Sequence, residues 1–210
     1  MGGIDKELMV ILKTKGDIIM NLSAQLHKVA QANSDKVAYH FLDQSKTYGE
    51  LDAAVTMFAS GLSKLGIQKG DHIALITGNS PHFVIGFYGA LRVGATIIPV
   101  NPIYTPDEVG YILNNGDVKA VITLDLLVPL CEGLHTHLPK VEHYIICETG
   151  QVPGDSDVSS LSVYKKLIPF MNVIGLGQAP FQEPEIQEED VAVVLYTSGT
   201  TGKPKGAMLT

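Results

Sequence analysis

"HIALITGNSPHFVIGFYGALRVGATIIPV", His72 to Val100, is the stretch from which the fold can be read. His72–Thr77 is a short apolar run closed by Gly78 and Asn79, which reads as a strand and its turn. Ser80 then offers a side-chain cap and Pro81 a preset first turn, so a helix is expected from Pro81 to Val93, with Gly94 behind it. Ala95–Val100 is apolar again and reads as the next strand. Strands without a polar face must be covered on both sides. Alternation of such strands with helices therefore predicts an α/β fold: a mainly parallel sheet with helices on both faces.

The same beat extends in both directions. Upstream, Leu22, Leu26 and Val29 mark one helical face and Val37–Leu42 a strand. Thr47 and Glu50 form a capping box ahead of the stripe Leu51, Val55, Phe58, Leu62 and Leu65, which Gly66 closes. Downstream, Thr105, Pro106 and Glu108 start another capped helix that ends at Gly116, and Lys119–Thr123 returns to strand. A helix from Leu126 and a strand over Val141–Cys147 follow, then a polar loop, Gly150–Ser160. The expected division is an extension over 1–20, an α/β subdomain over 21–168, a connector over 169–190, and a strand and loop over 191–210 that open the next subdomain. The connector carries Pro169, Pro180 and Pro184 and then Glu183, Glu185, Glu188, Glu189 and Asp190. Five acids invite a divalent cation, but nothing in their spacing fixes a cage, so a solvated linker is expected.

Composition narrows the function classes. The 210 residues are 45% hydrophobic and 18% charged, enough to bury a core. A net charge of −7, from 22 acids against 15 bases, argues against nucleic acid as a partner. Cys131 and Cys147 fit neither a disulfide framework nor a CxxC metal pair and read as reduced thiols of a cytoplasmic protein. The run Leu8–Leu12 is too short for a signal segment, and no stretch reaches the roughly 18–20 apolar residues of a membrane span, so membrane contact is expected to be peripheral at most.

The chemistry concentrates near the end, in "VAVVLYTSGTTGKPKGAMLT", Val191–Thr210. Val191–Tyr196 reads as a fully apolar strand, which sets the following loop at a strand's carboxyl end, where parallel sheets bind ligands. Gly199, Gly202 and Gly206 permit positive φ, so successive N–H groups can turn toward one anion. Thr197, Ser198, Thr200 and Thr201 add hydroxyls, Lys203 and Lys205 add charge, and Pro204 stiffens the chain between the lysines. Phosphate is the guest this donor set suits. A Walker A loop is excluded, because only Thr200 and Thr201 separate Gly199 from Gly202, Pro204 stands where Ser or Thr is required, and Ala207–Thr210 reads as extended chain rather than helix.

"YTSGTTGKPKGAMLT" resembles the phosphate-binding signature of the acyl-adenylate-forming superfamily. "KGDHIAL" and the run from Gly78 to Ile122 are similar to the corresponding parts of bacterial long-chain fatty acid:CoA ligases, so the resemblance covers about Asn21–Thr210. It implies the N-terminal subdomain of an enzyme that uses ATP, Mg²⁺ and coenzyme A to convert a fatty acid first to acyl-AMP and then to acyl-CoA. By the same resemblance Thr197, Ser198, Gly199, Thr200, Thr201, Gly202, Lys203, Pro204 and Lys205 hold the β- and γ-phosphates, and the Thr197 hydroxyl helps to hold Mg²⁺. Medium-chain or aryl acids are the competing substrates, and a stand-alone phosphate-binding or regulatory module is the competing function. The remaining motifs of the family, including its metal-binding glutamate and mobile lysine, are expected downstream.

Other residues invite functional readings that scaffold explains better. Ser80 reads as a helix cap, His135 and His137 as surface histidines, Asn101 and Pro102 as a tight turn beside a possible cleft, and Phe83, Phe87, Tyr88, Tyr104 and Tyr111 mostly as core. Residues 1–210 on their own are expected to give no ATP–pyrophosphate exchange; exchange above a protein-free blank would contradict this.

Overall fold

The computed structural model describes residues 21–149, 163–177, 181–197 and 204–210. The expected extension over 1–20 and the polar loop Gly150–Ser160 lie outside the described residues. Helix α1 (Leu22–Ala32) starts on the Asn21 side chain, which accepts from the Ala24 N–H at 2.8 Å. Strands β1 (Val37–Phe41) and β2 (Gln44–Thr47) form a small antiparallel sheet of their own. Expected to run to Leu42, β1 stops one residue earlier, because Leu42 turns the hairpin at φ +52°. The polar run Gln44–Thr47 carries no apolar alternation, so nothing in the sequence marked β2.

Helix α2 (Tyr48–Lys64) begins with the capping box: Glu50 N–H donates to the Thr47 hydroxyl, and Thr47 N–H to the Glu50 carboxylate. Gly66 turns the chain beyond it at φ +85°. Then β3 (His72–Ile76), α3 (Pro81–Arg92), β4 (Thr96–Pro99), α4 (Pro106–Asn115) and β5 (Val118–Leu124) follow the expected alternation. Ser80 caps α3 with Pro81 in its first turn, and a second capping box, Thr105 with Glu108, starts α4. Helix α5 (Val128–Leu134), β6 (His143–Cys147) and β7 (Leu167–Pro169) come next.

With β8 (Val193–Thr197) and β9 (Lys205–Leu209), the seven-stranded sheet has the order β7-β6-β5-β3-β4-β8-β9. Neighbours from β7 to β8 are parallel, and β9 is antiparallel to β8. Side chains alternate between two cores. Ile73 and Leu75 of β3 join α2, α3 and a later helix, α6 (Phe170–Leu176), on one face; Ala74 and Ile76 join α4 and α5 on the other. The mainly parallel sheet with helices on both faces is thus what forms, and no helix among the described residues is long and apolar enough to cross a membrane.

Two expectations need correction. The connector over 169–190 starts with regular structure: Pro169 closes β7, and α6 (Phe170–Leu176) buries Phe170 and Val173. The Phe170 ring stacks on Phe58 of α2 at 4.3 Å. Two apolar anchors in a seven-residue helix were hidden among the prolines and glycines. The acidic part is tied back to the body, since Lys69 pairs with Asp190 at 2.5 Å and donates to the Glu185 carbonyl. That ammonium group is the main cause holding the Asp190 carboxyl below its ordinary pKa. No cluster of acids, histidines or cysteines that could hold a metal occurs among the described residues.

The second correction concerns the apolar run Val191–Tyr196. Strand β8 spans Val193–Thr197; Val193 and Val194 are buried, whereas Leu195 is 41% exposed. β8 lies toward the edge of the sheet, where burial on both faces is no longer complete.

Three helices are fastened by one side chain. Arg92 of α3 is 3% exposed and donates from Nε to Ser23 Oγ at 2.9 Å, from Nη2 to Asp52 Oδ1 at 2.7 Å and from Nη1 to Thr56 Oγ1 at 2.5 Å. Close backbone approach fastens α2 to α6: a methyl group at Gly61 would lie 2.0 Å from the Val173 carbonyl oxygen. Gly61→Ala should therefore cost about 2–3 kcal/mol by forcing the helices apart. Gly133→Ala in α5, where nothing lies within 4 Å, should be neutral or slightly stabilising. Urea midpoints of the two variants test this, and equal midpoints would show that the α2–α6 contact is loose.

Candidate functional site

Because β3 to β8 run parallel, the chain leaves all of them at one edge of the sheet, and polar segments collect there. Thr77–Ser80 follows β3, Asn101–Tyr104 follows β4, Asp125 follows β5, Glu148 and Thr149 follow β6, and Thr197 ends β8. The chain departs from β3 into α3 on one face and from neighbouring β4 into α4 on the other. Adjacent strands whose connections diverge in this way open a crevice at their carboxyl ends. β8 is the other neighbour of β4, so Thr197 leaves the sheet beside that crevice.

Of the expected phosphate-binding residues, Thr197, Pro204 and Lys205 are described, and Ser198, Gly199, Thr200, Thr201, Gly202 and Lys203 lie outside the described residues. The antiparallel pairing of β8 with β9 (Lys205–Leu209) sets Thr197 opposite Lys205 and Tyr196 opposite Gly206. A hydroxyl and an ammonium group thus flank the same hairpin opening, both exposed. The extended chain expected after Gly206 is β9. Gly206 itself acts differently from expectation. It is absent from the positive-φ glycines; a methyl group there would lie 2.7 Å from Val194 Cγ1 and 3.3 Å from the Tyr196 ring, so glycine is required for close packing of the hairpin.

The other tempting residues resolve as scaffold. Ser80 Oγ accepts from the Phe83 N–H at 3.3 Å. His135 and His137 occupy a single 3₁₀ turn after α5, where the Nδ1 atom of His135 meets the Glu132 carbonyl. Asn101 Oδ1 accepts from the Ile103 N–H at 3.1 Å, closing the turn at the crevice. Phe83, Phe87 and Tyr88 pack on the first core and Tyr104 and Tyr111 on the second; Tyr111 also lines a groove of about 560 Å³ between α4 and α5. That groove includes none of Thr197, Pro204 and Lys205. Both cysteines are buried and free, and burial pushes each thiol up to about 12, which makes them inert at neutral pH.

One polar cluster at the edge was not found by sequence reasoning. Asp125, 7% exposed, accepts from the Thr149 N–H at 2.9 Å and from its hydroxyl at 2.7 Å, joining the ends of β5 and β6. His82, in the first turn of α3, sits edge-on to Phe170 at 4.9 Å. Burial lowers its pKa more than the nearby Glu148 and Asp125 charges raise it, so a neutral imidazole faces this edge at pH 7. A lone histidine beside a proline carries no periodicity, and its partner Phe170 lies far along the chain; only spatial proximity shows the pair.

The model of the AMP-binding enzyme family matches residues 26–210. A long-chain-fatty-acid–CoA ligase of Bacillus subtilis is 32% identical over 221 residues, covering 99% of this chain and 38% of that protein. A 4-coumarate–CoA ligase of Humulus lupulus is 36% identical over 169 residues, covering 78% of this chain and 28% of that protein. Among solved structures, that of an anthranilate CoA ligase in complex with anthranoyl-AMP superposes with a TM-score of 0.78 at 25% identity, covering 90% of this chain and 34% of that one. The chain thus spans less than half the length of these relatives.

His82 yields a pH prediction. Its folded pKa is below the ordinary 6.5, so the unfolded chain takes up the proton first. The neutral-histidine contribution is therefore undiminished above 6.5 and is lost as pH falls from 6.5 through the folded value. An NMR titration should place the His82 midpoint below 6.5, and the stability difference between wild type and His82→Gln should change across the same window. A midpoint at or above 6.5 would contradict the assignment.

Proposed function

The chain belongs to the AMP-binding enzyme family, and we propose that the whole protein is an acyl-CoA ligase that activates a long-chain fatty acid with ATP and transfers it to coenzyme A. The observation that carries this reading is the β8–β9 hairpin: it opens at the carboxyl edge of the sheet, beside the β3/β4 crevice, with the donor-rich sequence Tyr196–Gly206 at its turn. Its position and residue chemistry suit a polyphosphate, and the similarity to long-chain ligases supports the acyl substrate.

In this reading the fatty-acid carboxylate attacks the α-phosphorus of ATP; the bond from that phosphorus to the bridging oxygen breaks, and pyrophosphate leaves with its electron pair. The coenzyme A thiol then attacks the acyl carbonyl and AMP departs. Negative charge grows on the leaving pyrophosphate in the first step. Preorganised N–H groups, the hydroxyls of Thr197, Ser198, Thr200 and Thr201, and the ammonium groups of Lys203 and Lys205 meet that charge, with Gly199, Gly202 and Pro204 shaping the loop. One well-placed donor of this kind contributes about 3 kcal/mol in the transition state.

Mg²⁺ suits the one described donor assigned to it. The exposed Thr197 hydroxyl is a hard oxygen ligand at the end of β8, able to serve beside water and phosphate oxygens, which normally complete the shell of this ion. Bound there, Mg²⁺ supplies charge neutralisation at the phosphates. In this reading the α/β subdomain includes β7 and α6, the acidic stretch up to Asp190 is a connector tied back to that body by Lys69, and 191–210 open the next subdomain, whose first strand still extends the same sheet. Residues 1–210 alone are inactive in this reading, which is that of the whole protein, since the chain covers 38% and 28% of the two ligases it is similar to. The protein works in the cytoplasm, with its fatty-acid supply drawing it at most to a membrane surface. Aryl acids are the second reading, favoured by the 36% identity to the 4-coumarate ligase.

Pyrophosphate release by the complete protein, assayed with saturated acids of graded length beside 4-coumaric and anthranilic acids, tests the substrate. Long-chain acids should give the highest kcat/KM. Lys205→Ala should lower kcat/KM for ATP by about 10- to 100-fold, the loss of a charge-assisted donor. A preference for the aryl acids would select the second reading, and wild-type kinetics in the lysine variant would remove Lys205 from the phosphate site.

A further inference from the structure

The β8–β9 hairpin is weakly supported by its own packing. β8 shares one register pair with β4, Ile97 with Val193, and beyond it Leu195, Met208 and Leu209 are 41%, 70% and 48% exposed. Toward Thr197 the Tyr196 ring packs against the second core, and the Tyr196 hydroxyl donates to Asn115 Oδ1 at 2.7 Å, across 81 residues of sequence. Asn115 is the last residue of α4, and the next carbonyl, that of Gly116, meets Nδ1 of His72 at the start of β3 at 2.6 Å. The other end of α4 is locked by the Thr105–Glu108 box, directly after the Asn101–Tyr104 turn at the crevice. A helix fixed at both ends therefore reaches from the crevice to the hairpin.

We propose that the Tyr196–Asn115 hydrogen bond is a positioning contact for the nucleotide phosphates, setting the ends of β8 and β9 so that Thr197 and Lys205 face the same ligand; this rests on the phosphate-binding reading above. The register explains the choice of tyrosine. Tyr196 is paired with Gly206 and immediately precedes the Thr197–Lys205 pair. Its ring lies where a side chain at position 206 would clash, so the bare glycine gives the ring a fixed seat. Burial and the neighbouring Tyr111 raise the phenol pKa, which keeps the hydroxyl protonated as a donor at neutral pH. Tyr196 touches neither reacting atoms nor leaving group in this scheme; it acts through Thr197 and Lys205.

The test uses the complete protein with Tyr196→Phe, Asn115→Ala and the double variant. ATP kinetics are measured at saturating fatty acid, fatty-acid kinetics at saturating ATP, and thermal midpoints alongside. Tyr196→Phe should reduce kcat/KM for ATP about 3- to 10-fold, as expected for loss of one neutral hydrogen bond. The KM for fatty acid should stay within about twofold, Asn115→Ala should give a similar loss, and the double variant should be no worse than either single one. A role confined to stability predicts lower thermal midpoints with unchanged ATP kinetics, and that result would overturn the proposal, as would additive losses in the double variant. If wild type itself shows no ATP-dependent pyrophosphate exchange with any acid, the phosphate-binding reading fails, and the positioning role falls with it.

Discussion

Burial of both faces of the central strands is the constraint from which the remaining architecture follows. Ile73, Leu75, Ala120, Ile122 and Ile145 need cover on one side, and Ala74, Ile76, Val121, Tyr144 and Ile146 on the other. Helices are the means of covering both faces, and a helix between two strands returns the chain in the direction it came from, which makes the strands parallel. Once they are parallel, every carboxyl end lies on one edge. Chemistry placed there by Thr77–Ser80, Asn101–Tyr104, Asp125, Thr149 and Thr197 is therefore brought together without any of these residues being close in sequence.

Cohesion of the first helical layer depends on a polar interaction inside an apolar shell. Arg92 is buried among α1, α2 and α3 and spends its donors on Ser23, Asp52 and Thr56, while the second oxygen of Asp52 meets Nδ1 of the exposed His27 at 2.8 Å. A buried guanidinium is costly unless its donors are used, and here they fix the relative register of three helices. Apolar packing alone, being non-directional, would leave α1 free to slide on α2. In the opposite layer α4 is fixed at its two ends, by a capping box and by the contacts of Asn115 and Gly116 with Tyr196 and His72.

Local signals were legible where they act over three or four residues. The Thr47, Ser80 and Thr105 caps all form, because each depends only on a side chain reaching back to its own helix. Strands β3 to β6 were legible for the same reason: their apolar runs are bounded by turn residues. Misreadings occurred where the deciding neighbour is distant. β2 is polar and exists through pairing with β1; α6 exists because Phe170 and Val173 find α2; the exposure of Leu195 follows from the place of β8 in the strand order, which no window of sequence contains.

For the candidate site the division is similar. Residue types between Tyr196 and Gly206 already carry the hydroxyls, lysines and glycines on which the proposed phosphate site rests, wherever the segment is placed. The pairing of Thr197 with Lys205, the close fit of Gly206 against Val194 and Tyr196, and the bond from Tyr196 to Asn115 required the folded chain. Sequence by itself determined the alternation of elements, the caps and the donor set, because these depend on neighbours within one turn or one strand. Strand order, the crevice beside β4 and the tether from α4 were decided by tertiary structure, because they come from burying two sheet faces at once, a condition on the whole chain that no local segment can satisfy alone.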